Sequence, residues 1–532
     1  MKRIIPFLLL CVAMTAIAGE IVVSEGGCLH DALRQAREWR RTGDARCQGG
    51  ITIRLQAGRY YMDEPLFIRP EDSGTEASPT TICGEPGAVV CGDPRQQHRQ
   101  LWPKVATADA TAVAPLEPML AFDADARTIT ITRPPKEILK ALQQEKHLEM
   151  VVHQRWAIAI LRVKELSVHG DSVVVSFRKP ESRLEFEHPW PQPVIGGEKG
   201  NSSFLLRTTE QRDGIEQLVV IDGTEDQPVS HVRFENITFE NTCWNRPLHK
   251  GHVTLQGGFP LVDAYKLRAN EGLPWDEGLE NQAWVERPVS AVSVSHATNV
   301  NFRGCTFQHL GATALDYVIG ISDCHIEGNR FEDIGGTAIM AGSFAESPRE
   351  VHRPYTDLAS QCQRLYIHGN TIHDTANEDW GAVAIGCGYV SDVEISNNDV
   401  STTNYSGICI GWGWTPHDTG MRNNRIVNNR VSEYARQLYD AGGIYTLSNQ
   451  PGSEIRDNFI SQPFPAPYAT NDRAFCIYLD ARTDGFTIES NKTTEASSST
   501  TDSVVGGFSA NSRLIRRDET GDNHPGPNLK FK

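Results

Sequence analysis

A short unit recurs along the second half of the chain, and this repetition constrains the fold more than any other feature. From residue 232 onward, each copy alternates apolar and polar residues, passes an Asn or a small residue, and ends in a turn. A unit this short cannot bury its own apolar face, so successive units must stack strand on strand. The pattern predicts an all-β fold, a right-handed parallel β-helix. The recurring Asn residues, 28 to 41 positions apart, are Asn329, Asn370, Asn398, Asn429, Asn458 and Asn491.

We interpret these Asn residues as structural. Asn tolerates a left-handed backbone at a turn, and its amide can form a ladder of hydrogen bonds between stacked coils. Leucine-rich repeats are excluded because the units lack the Leu spacing and the helical segments of that fold. A propeller is excluded because it would need about four strands per repeat.

The chain outside the repeats divides into segments of different pattern. Leu29, Ala32, Leu33, Ala36 and Trp39 have helical spacing and predict a helix that ends before Gly43 and caps the solenoid. Between about 95 and 225 the alternating pattern of the coils is interrupted. Strand-like stretches with one helical stretch there predict an inserted β-rich subdomain. The predicted divisions are a signal peptide (1–18), the N-terminal cap with the first coils (19–94), the insert (95–225), the main β-helix with the groove (226–496) and a tail (497–532).

The N-terminus has the features of a secretion signal. Lys2 and Arg3 precede an apolar stretch that is shorter than the roughly 20 residues needed to cross a bilayer. Ala16-Ile17-Ala18 follows as a cleavage site. We therefore expect an exported protein, periplasmic or extracellular, with no integral membrane segment after the signal is removed.

The net charge and the cysteine positions limit which binding partners, disulfides and metals are expected. The net charge is −16, the pI is near 5.5, and no block of Lys and Arg interrupts the acidic background, so nucleic acid is excluded as a partner. Disulfides are allowed in an exported protein, and Cys28 with Cys47, or Cys83 with Cys91, are close enough in sequence to pair. No CxxC or His-x-x-x-His pattern is present. We predict no metal or cofactor, and a monomer.

Carboxylates and aromatic residues concentrate between Asp379 and Arg482, where stacked strands leave outer faces and loops for function. Glycosidic cleavage needs an acid and a base or nucleophile, and pyranose rings stack on aromatic rings. Asp440, before Ala-Gly-Gly-Ile-Tyr, and Asp480, after Ile-Tyr-Leu, are the candidate catalytic pair. Each could instead be an ordinary turn or strand-end residue. The candidate substrate-binding residues are Trp380, Trp412, Trp414, Tyr445, Tyr478, Arg482, Asp316 and His153.

Some of these candidates have an alternative structural role. Any of the three Trp residues could belong to the core. Asp316 interrupts an apolar strand and could be a solvated outer-face residue. Arg482 could recognise a carboxylate or sulfate on the sugar, or be a surface residue. His153, with Trp156, is expected to reach the groove from the insert.

Several ordered motifs carry a family resemblance over roughly residues 232 to 495. They are Phe302-Arg-Gly-Cys-Thr-Phe-Gln-His-Leu-Gly-Ala-Thr-Ala-Leu, Gly411-Trp-Gly-Trp, Asp440-Ala-Gly-Gly-Ile-Tyr-Thr-Leu, Gln450-Pro-Gly and Ile477-Tyr-Leu-Asp, with a weaker echo in Val151-Val-His-Gln-Arg-Trp. In these motifs the chain resembles glycoside hydrolase family 141, whose members are exported bacterial β-helix proteins. The resemblance implies that Asp440 and Asp480 are the catalytic carboxylates. The family pattern continues with an acidic residue and Gly directly after the second Asp, whereas here Ala481, Arg482 and Thr483 precede Asp484 and Gly485.

The preferred reading is an exported glycosidase that acts on an oligo- or polysaccharide of plant or host origin. The resemblance implies α-L-fucosidase-like activity on complex pectin, with xylanase activity as a variation. One alternative is a polysaccharide lyase that uses calcium and a basic residue. The other is a non-catalytic carbohydrate-binding solenoid.

Overall fold

The predicted β-helix is present, and the insert and a second excursion cover one of its faces. A computed structural model describes residues 18–93, 98–102, 116–187, 193–196, 202–209, 214–263, 283–344, 349–350, 357–414, 418–461, 463–464, 474–480, 482–493 and 530–531. The coils of the solenoid build three parallel sheets, which we call sheets 1, 2 and 3 in the order in which a coil visits them.

Sheets 1 and 2 are continuous through two long strands, Ser290–Arg303 and Thr313–Glu327, which together give a sheet of 20 strands. The first halves of these two strands lie in sheet 1 and the second halves in sheet 2. The other strands of sheet 1 are Leu66–Ile68, Val219–Asp222, Ile339–Ala341, Ile385–Cys387, Ile408–Ile410, Ala441–Thr446 and Ala474–Leu479. The other strands of sheet 2 are Gly19–Val23, Ile51–Leu55, Thr80–Gly84, Val229–Glu235, Cys362–His368, Val390–Ser391, Glu394–Ser396, Arg425–Val427, Asn449–Arg456, Asp484–Glu489 and Lys530–Phe531.

Sheet 3 has 10 strands, and its aromatic residues stack inside the solenoid. The rings of Phe239, Phe307 and Phe331 follow one another with centroid distances of 5.1 and 4.7 Å. Such interior columns bury the apolar side of each alternating strand, which no single unit could do. The strands of sheet 3 are Gly58–Tyr61, Ala88–Cys91, Thr238–Thr242, Thr306–Leu310, Arg330–Ile334, Thr371–Thr375, Asp399–Thr403, Arg430–Ser432, Phe459–Ile460 and Lys492–Thr493.

The predicted Asn ladder runs along the turn between sheets 2 and 3. In its middle, Asn398 Oδ1 accepts hydrogen bonds from the backbone N and the Nδ2 of Asn370, each 2.9 Å long. Asn398 Nδ2 donates to Asn429 Oδ1 and to the Ile367 carbonyl, again at 2.9 Å. The ladder satisfies backbone groups that the turn would otherwise bury without partners.

The predicted capping helix spans Leu29–Thr42. Its buried residues are the five that the spacing selected: Leu29, Ala32, Leu33, Ala36 and Trp39. Gly43 ends it in a left-handed conformation, with φ 65°. The short 3₁₀ helices Ala45–Cys47 and Pro70–Asp72 follow among the first coils.

The insert folds around an antiparallel sheet rather than around coils. Its strands, in spatial order, are His98–Trp102, Ser203–Thr209, Leu148–His153, Ile158–His169, Ser172–Phe177, Thr128–Thr132 and Ala121–Asp123. Glu117–Pro118 pairs beside Ser203–Thr209. The predicted helical stretch is the helix Lys136–Gln144, and a second helix spans Glu181–Glu187. The expected end of the insert at residue 225 is too late, because Val219–Asp222 already pairs in sheet 1.

A second excursion leaves the solenoid after the strand Thr238–Thr242. It contains the helix Arg246–Lys250, the strand His252–Val253 and the 3₁₀ turn Gln256–Gly258. His252–Val253 pairs with the insert strand Ile158–His169, so the excursion joins the insert's sheet. Farther along, Ala283–Trp284 pairs with Arg349–Glu350.

The insert and the excursion pack on the outer face of sheet 1. Val253, Leu255 and Phe259 of the excursion belong to one buried apolar cluster with Met340 and Tyr445 of sheet 1. This face is therefore a covered interface and not an open sheet. The inner faces of the coils belong to a second buried cluster, which also contains insert residues such as Val151 and Trp156.

Three further observations concern expectations from the sequence. No disulfide joins the eleven cysteines in the described part of the chain, so neither Cys28 with Cys47 nor Cys83 with Cys91 is paired. The tail contributes one described segment, Lys530–Phe531, which pairs with the sheet 2 strand Asp484–Glu489. Within the described ranges, no helix has the length and apolar character needed to cross a membrane.

Candidate active site

The two predicted carboxylates lie on neighbouring coils, at opposite ends of paired strands of sheet 1. Asp440 precedes Ala441–Thr446, and Asp480 follows Ala474–Leu479. Tyr445 pairs with Tyr478 in this register. Both Asp residues are almost completely buried.

Two tyrosine hydroxyls connect the carboxylates in a crossed pattern. The Tyr478 hydroxyl donates to Asp440 Oδ1 at 2.9 Å, and the Tyr445 hydroxyl donates to Asp480 Oδ2. Each Tyr therefore binds the Asp of the other coil. The two rings meet edge to face, with centroids 5.0 Å apart. Burial, followed by the charge of Asp480, raises the pKa of Tyr445 well above its usual value, so this hydroxyl stays protonated as a donor.

The backbone at Asp440 is held from two sides. Asp440 adopts a left-handed conformation with φ 63°, which Asp tolerates better than most residues. The Tyr405 hydroxyl donates to its carbonyl at 3.0 Å, and the Gln256 amide lies 3.5 Å from that hydroxyl. Gly442, two residues on, donates its N–H to Ser406 Oγ at 3.1 Å. Neighbouring coils and the excursion therefore fix the start of this strand.

Asp480 is held by the turn that follows it. Its N–H donates to the Thr446 carbonyl at 3.1 Å, and its own carbonyl accepts from the Thr483 N–H at 3.0 Å. The Thr483 hydroxyl also donates to the Thr446 carbonyl, at 2.8 Å. Arg482, half-buried and left-handed with φ 61°, lies in this turn, while Ala481 lies outside the described residues.

The insert contacts the turn before Asp440. His153 Nε2 donates to the Gln437 carbonyl at 2.7 Å, and its ring lies 6.2 Å from that of Tyr439. The Tyr439 N–H donates to the Arg155 carbonyl at 3.2 Å. Burial lowers the pKa of His153 to about 4, so the imidazole is neutral near pH 7. His153 thus lies beside the candidate pair, where it supports the backbone leading to Asp440.

Trp412 and Trp414 belong to an aromatic cluster next to Tyr445. Their ring centroids are 4.7 Å apart, and Phe259 and Phe344 pack against Trp412 at 5.4 and 5.2 Å. Both Trp rings are buried, and with Tyr445 they line a small, largely apolar cavity of about 30 Å³. The Gly between them is required, because a Cβ at Gly413 would lie 2.3 Å from the Tyr389 hydroxyl.

Trp380 is buried, and Asp316 lies apart from the Asp pair. The buried cluster that contains Trp380 includes coil residues and insert residues such as Trp156. Asp316 faces outward from sheet 1, in the register column Asp316, Met340, Gly386, Cys409, Tyr445 and Tyr478. Four strand steps, about 19 Å, separate it from Tyr445. Arg287 binds both of its carboxylate oxygens at 2.6 Å, so Asp316 forms a buried ion pair.

Sequence reasoning did not select Tyr405 or Gln256, which support Asp440. Gln256 lies 149 residues from Tyr405 in the chain, and no local pattern connects the two. Tyr405 lies in a turn between sheets 3 and 1, and the equivalent turn of the next coil precedes Asp440. The recurrence of this turn along the sequence is the signal that could have identified Tyr405.

Comparison with known proteins agrees with this architecture. A model of the GH141 insertion domain matches residues 87–212, and a model of the right-handed beta helix region matches residues 289–493. A solved structure described as a glycoside hydrolase is 33% identical over 97% of this chain and 96% of that chain, with a TM-score of 0.83. No curated protein matches the sequence.

More remote structures share only the general shape. A DFA-IIIase from Arthrobacter chlorophenolicus A6 is 10% identical over 88% of this chain and 84% of its own, with a TM-score of 0.38. A mannuronan C-5 epimerase A-module from Azotobacter vinelandii is 10% identical over 97% and 98%, with a TM-score of 0.32. These likenesses carry no argument about activity. The insertion-domain match and the likeness over nearly the whole chain do, and they show that this right-handed β-helix protein belongs to the GH141 type of glycoside hydrolases.

Proposed function

We propose that Asp440 and Asp480 are the acid and the base or nucleophile of this glycoside hydrolase. The observation that carries the proposal is the crossed pair of hydrogen bonds, in which Tyr478 binds Asp440 and Tyr445 binds Asp480. Two carboxylates held on adjacent coils are what hydrolysis of a glycosidic bond needs. Protonated phenols that donate to them keep each carboxylate oriented.

The proposed substrate is a complex polysaccharide of plant or host origin. We prefer α-L-fucosidase-like activity on pectic glycans, with xylanase-like activity as the second choice; the motifs shared with glycoside hydrolase family 141 support this order. Trp412 and Trp414 line the cavity beside Tyr445, and Arg482 lies in the turn after Asp480; these three are the proposed substrate-binding residues nearest the chemistry. Tyr445 acts on the position of Asp480. His153 and Tyr478 act on the position of Asp440.

The test is chromatography of the sugars that the purified protein releases from pectic, xylan and fucosylated glycans. We expect a saturated sugar product, and a loss of at least about 100-fold in rate for Asp440→Asn and for Asp480→Asn. Asp457→Asn is the matched control, because Asp457 is also left-handed, with φ 58°, but lies at the turn between sheets 2 and 3. Near-wild-type rates in both site variants would remove the pair from the mechanism.

The same experiment separates the other chemistries. An unsaturated product that disappears with a chelator would indicate a lyase. Saturable glycan binding without any product, over the whole panel and after long incubation, would contradict hydrolysis by this chain.

We further propose that the protein is exported and matures by cleavage after Ala18. The first strand of sheet 2 begins at Gly19, directly after the small-residue motif, which supports a mature chain starting there. Mass spectrometry of the protein from periplasmic and medium fractions should find Gly19 as the N-terminus. Intact Met1 in cytoplasmic protein alone would contradict export.

A further inference from the structure

A second cavity lies on the other side of the excursion from the Asp pair. It has a volume of about 260 Å³ and is lined by the excursion, by sheet 1 turns such as Gly336 and Thr337, and by Asp379. Its rim is open to solvent, since the Lys250 and Glu286 side chains are 48% and 43% exposed. Its volume equals about eight to nine waters at roughly 30 Å³ each, which suits a single small ring.

The floor of this cavity is a buried His–Asp pair. His252 Nε2 donates to Asp379 Oδ2 at 2.8 Å, and Asp379 Oδ1 accepts from the Gly381 N–H at 3.1 Å. Since a carboxylate only accepts, Nε2 carries a proton. Burial lowers the pKa of His252 and so favours the neutral imidazole, whose Nδ1 presents a lone pair. Only 2% of His252 is exposed, and Nδ1 has no hydrogen-bond partner among the described residues.

Beside the Nδ1 acceptor of His252, the cavity lining has a hydrogen-bond donor, Arg246 Nε, that has no partner among the described residues. Arg246 uses its terminal nitrogens on Glu286 and on the Leu261 carbonyl, but its buried Nε makes no hydrogen bond within the described residues. Trp244 adds an aromatic surface to the lining and meets the His252 ring edge to face at 4.7 Å. An unused acceptor and an unused donor beside an aromatic ring match the hydroxyl groups and apolar faces of a sugar.

The charges of the lining favour a neutral ligand. Arg246 and Lys250 are paired with Glu286, and Arg287 is paired with Asp316, while Glu216 and Asp379 add further negative charge. Each of these three cations therefore already has a carboxylate partner, and a uronate would meet repulsion from the remaining carboxylates. A neutral pyranose would not.

We propose that this cavity, centred on His252, Asp379, Arg246 and Trp244, is a second carbohydrate site that binds a neutral pyranose ring. The site is separate from the Asp pair, because the excursion places His252 and Gly258 on this cavity and Gln256 and Phe259 on the apolar one beside Trp412. The proposal rests on the chain being a glycoside hydrolase but not on which carboxylates perform the hydrolysis.

Ligand-observed NMR titrations of the full chain test this site. The probes are D-galactose, L-fucose and D-xylose, with D-galacturonate as the acidic counterpart. We expect one of the neutral sugars to bind wild type and Asp440→Asn equally, and to bind His252→Ala about tenfold more weakly, since tenfold corresponds to about 1.4 kcal/mol, within the range of one net hydrogen bond. His309→Ala, at an exposed His that pairs with Asp333, is the control and should bind like wild type.

Arg246→Lys keeps the proposal testable if His252→Ala does not fold. This variant retains the positive charge but removes Nε, and it should also weaken binding of the neutral sugar. Neutral-sugar binding that is unchanged in every folded cavity variant would overturn the proposal, as would tighter binding of galacturonate or no neutral-sugar binding to wild type. Hydrolysis is measured separately, so loss of activity in Asp440→Asn with intact binding here distinguishes the two proposals.

Discussion

At the scale of single residues, Tyr445 and Tyr478 hold the two carboxylates of the candidate site in position. Their hydroxyls are used on Asp440 and Asp480, and both side chains are buried, so we regard Tyr445 and Tyr478 as positioning residues. The sequence suggested sugar contacts for them because they are aromatic residues in the motifs that carry the candidate carboxylates, and pyranose rings stack on aromatic rings. That pattern cannot show which coil's carboxylate a hydroxyl will reach.

Removing one of these hydroxyls should slow the reaction without unfolding the protein. We expect Tyr478→Phe to lower kcat by about 10- to 100-fold, because a hydrogen bond to a charged group is worth roughly 1.5 to 3 kcal/mol. KM should change little if the ring does not touch the sugar. Steady-state kinetics would check both values.

The control for this change is Tyr317→Phe. The Tyr317 hydroxyl donates to the Val300 carbonyl at 2.8 Å inside the solenoid, away from the Asp pair. It should lose stability but keep its turnover number. Equal losses of kcat in the two variants would mean that Tyr478 acts only through general packing.

A second single-residue prediction concerns pH and lies in the insert. Glu185 is buried and accepts a hydrogen bond from Gln154 Nε2, and burial raises its pKa from 4.5 to about 8. Between these values the native state holds a proton that the unfolded chain has released. The free energy of unfolding therefore falls as pH rises through this window, by up to roughly 1.4 kcal/mol per pH unit.

In the Glu185→Gln variant the side chain at position 185 no longer titrates, so it no longer makes the free energy of unfolding depend on pH. The stability of the variant relative to wild type should increase from pH 5 to pH 8, as measured by urea unfolding at several pH values. His153 titrates in both proteins and cancels in the difference. Parallel stability curves would show that Glu185 is already ionised in the native state.

At the scale of the element, the coil is the unit that sequence patterns describe well. The Asn ladder and the apolar face of Leu29–Thr42 were both predicted, because period-two and helical spacings are local properties. The predicted end of the insert was too late. Val219–Asp222 has the pattern of a strand whether it belongs to the insert or to the β-helix, and only its pairing with sheet 1 strands assigns it to the β-helix.

The ladder makes a quantitative prediction at this scale. Asn398→Ala removes two donated and two accepted hydrogen bonds and should lower the free energy of unfolding by about 3 kcal/mol or more. Asn491→Ala, at the end of the ladder, should cost less, since only its donation to the Ile455 carbonyl adds to what it accepts from Asn458. Chemical denaturation compares them, and equal losses would argue against ladder cooperation.

At the scale of the whole molecule, a buried ion pair connects the insert to the solenoid. Arg207 of the insert donates to Glu149 at 3.3 Å and to Glu378 of the β-helix at 3.1 Å. Glu378 directly precedes Asp379, so this contact also supports the second cavity. Such long-range supports left no sequence signal, because Arg207 and Glu378 are 171 residues apart.

Arg207→Ala should destabilise the protein by about 3 to 5 kcal/mol, because it leaves two buried carboxylates without their cation. Arg303→Ala is the matched control: its pair with Glu327 is largely exposed and should contribute no more than about 1 kcal/mol. Thermal unfolding distinguishes them. Similar changes in Tm for the two variants would mean that the insert is held mainly by its apolar contacts.

The insert contacts coils that come much later in the sequence, and this has a consequence for how the protein is made. His153 contacts Gln437, which is synthesised 284 residues later. During vectorial synthesis the insert therefore emerges long before the coils that carry Asp440 and Asp480. Solenoids grow by adding neighbours, so the early half can mature as a template while the two candidate carboxylates are still absent. Hydrolytic competence should appear only with the last coils, which delays the chemistry until the chain is nearly complete.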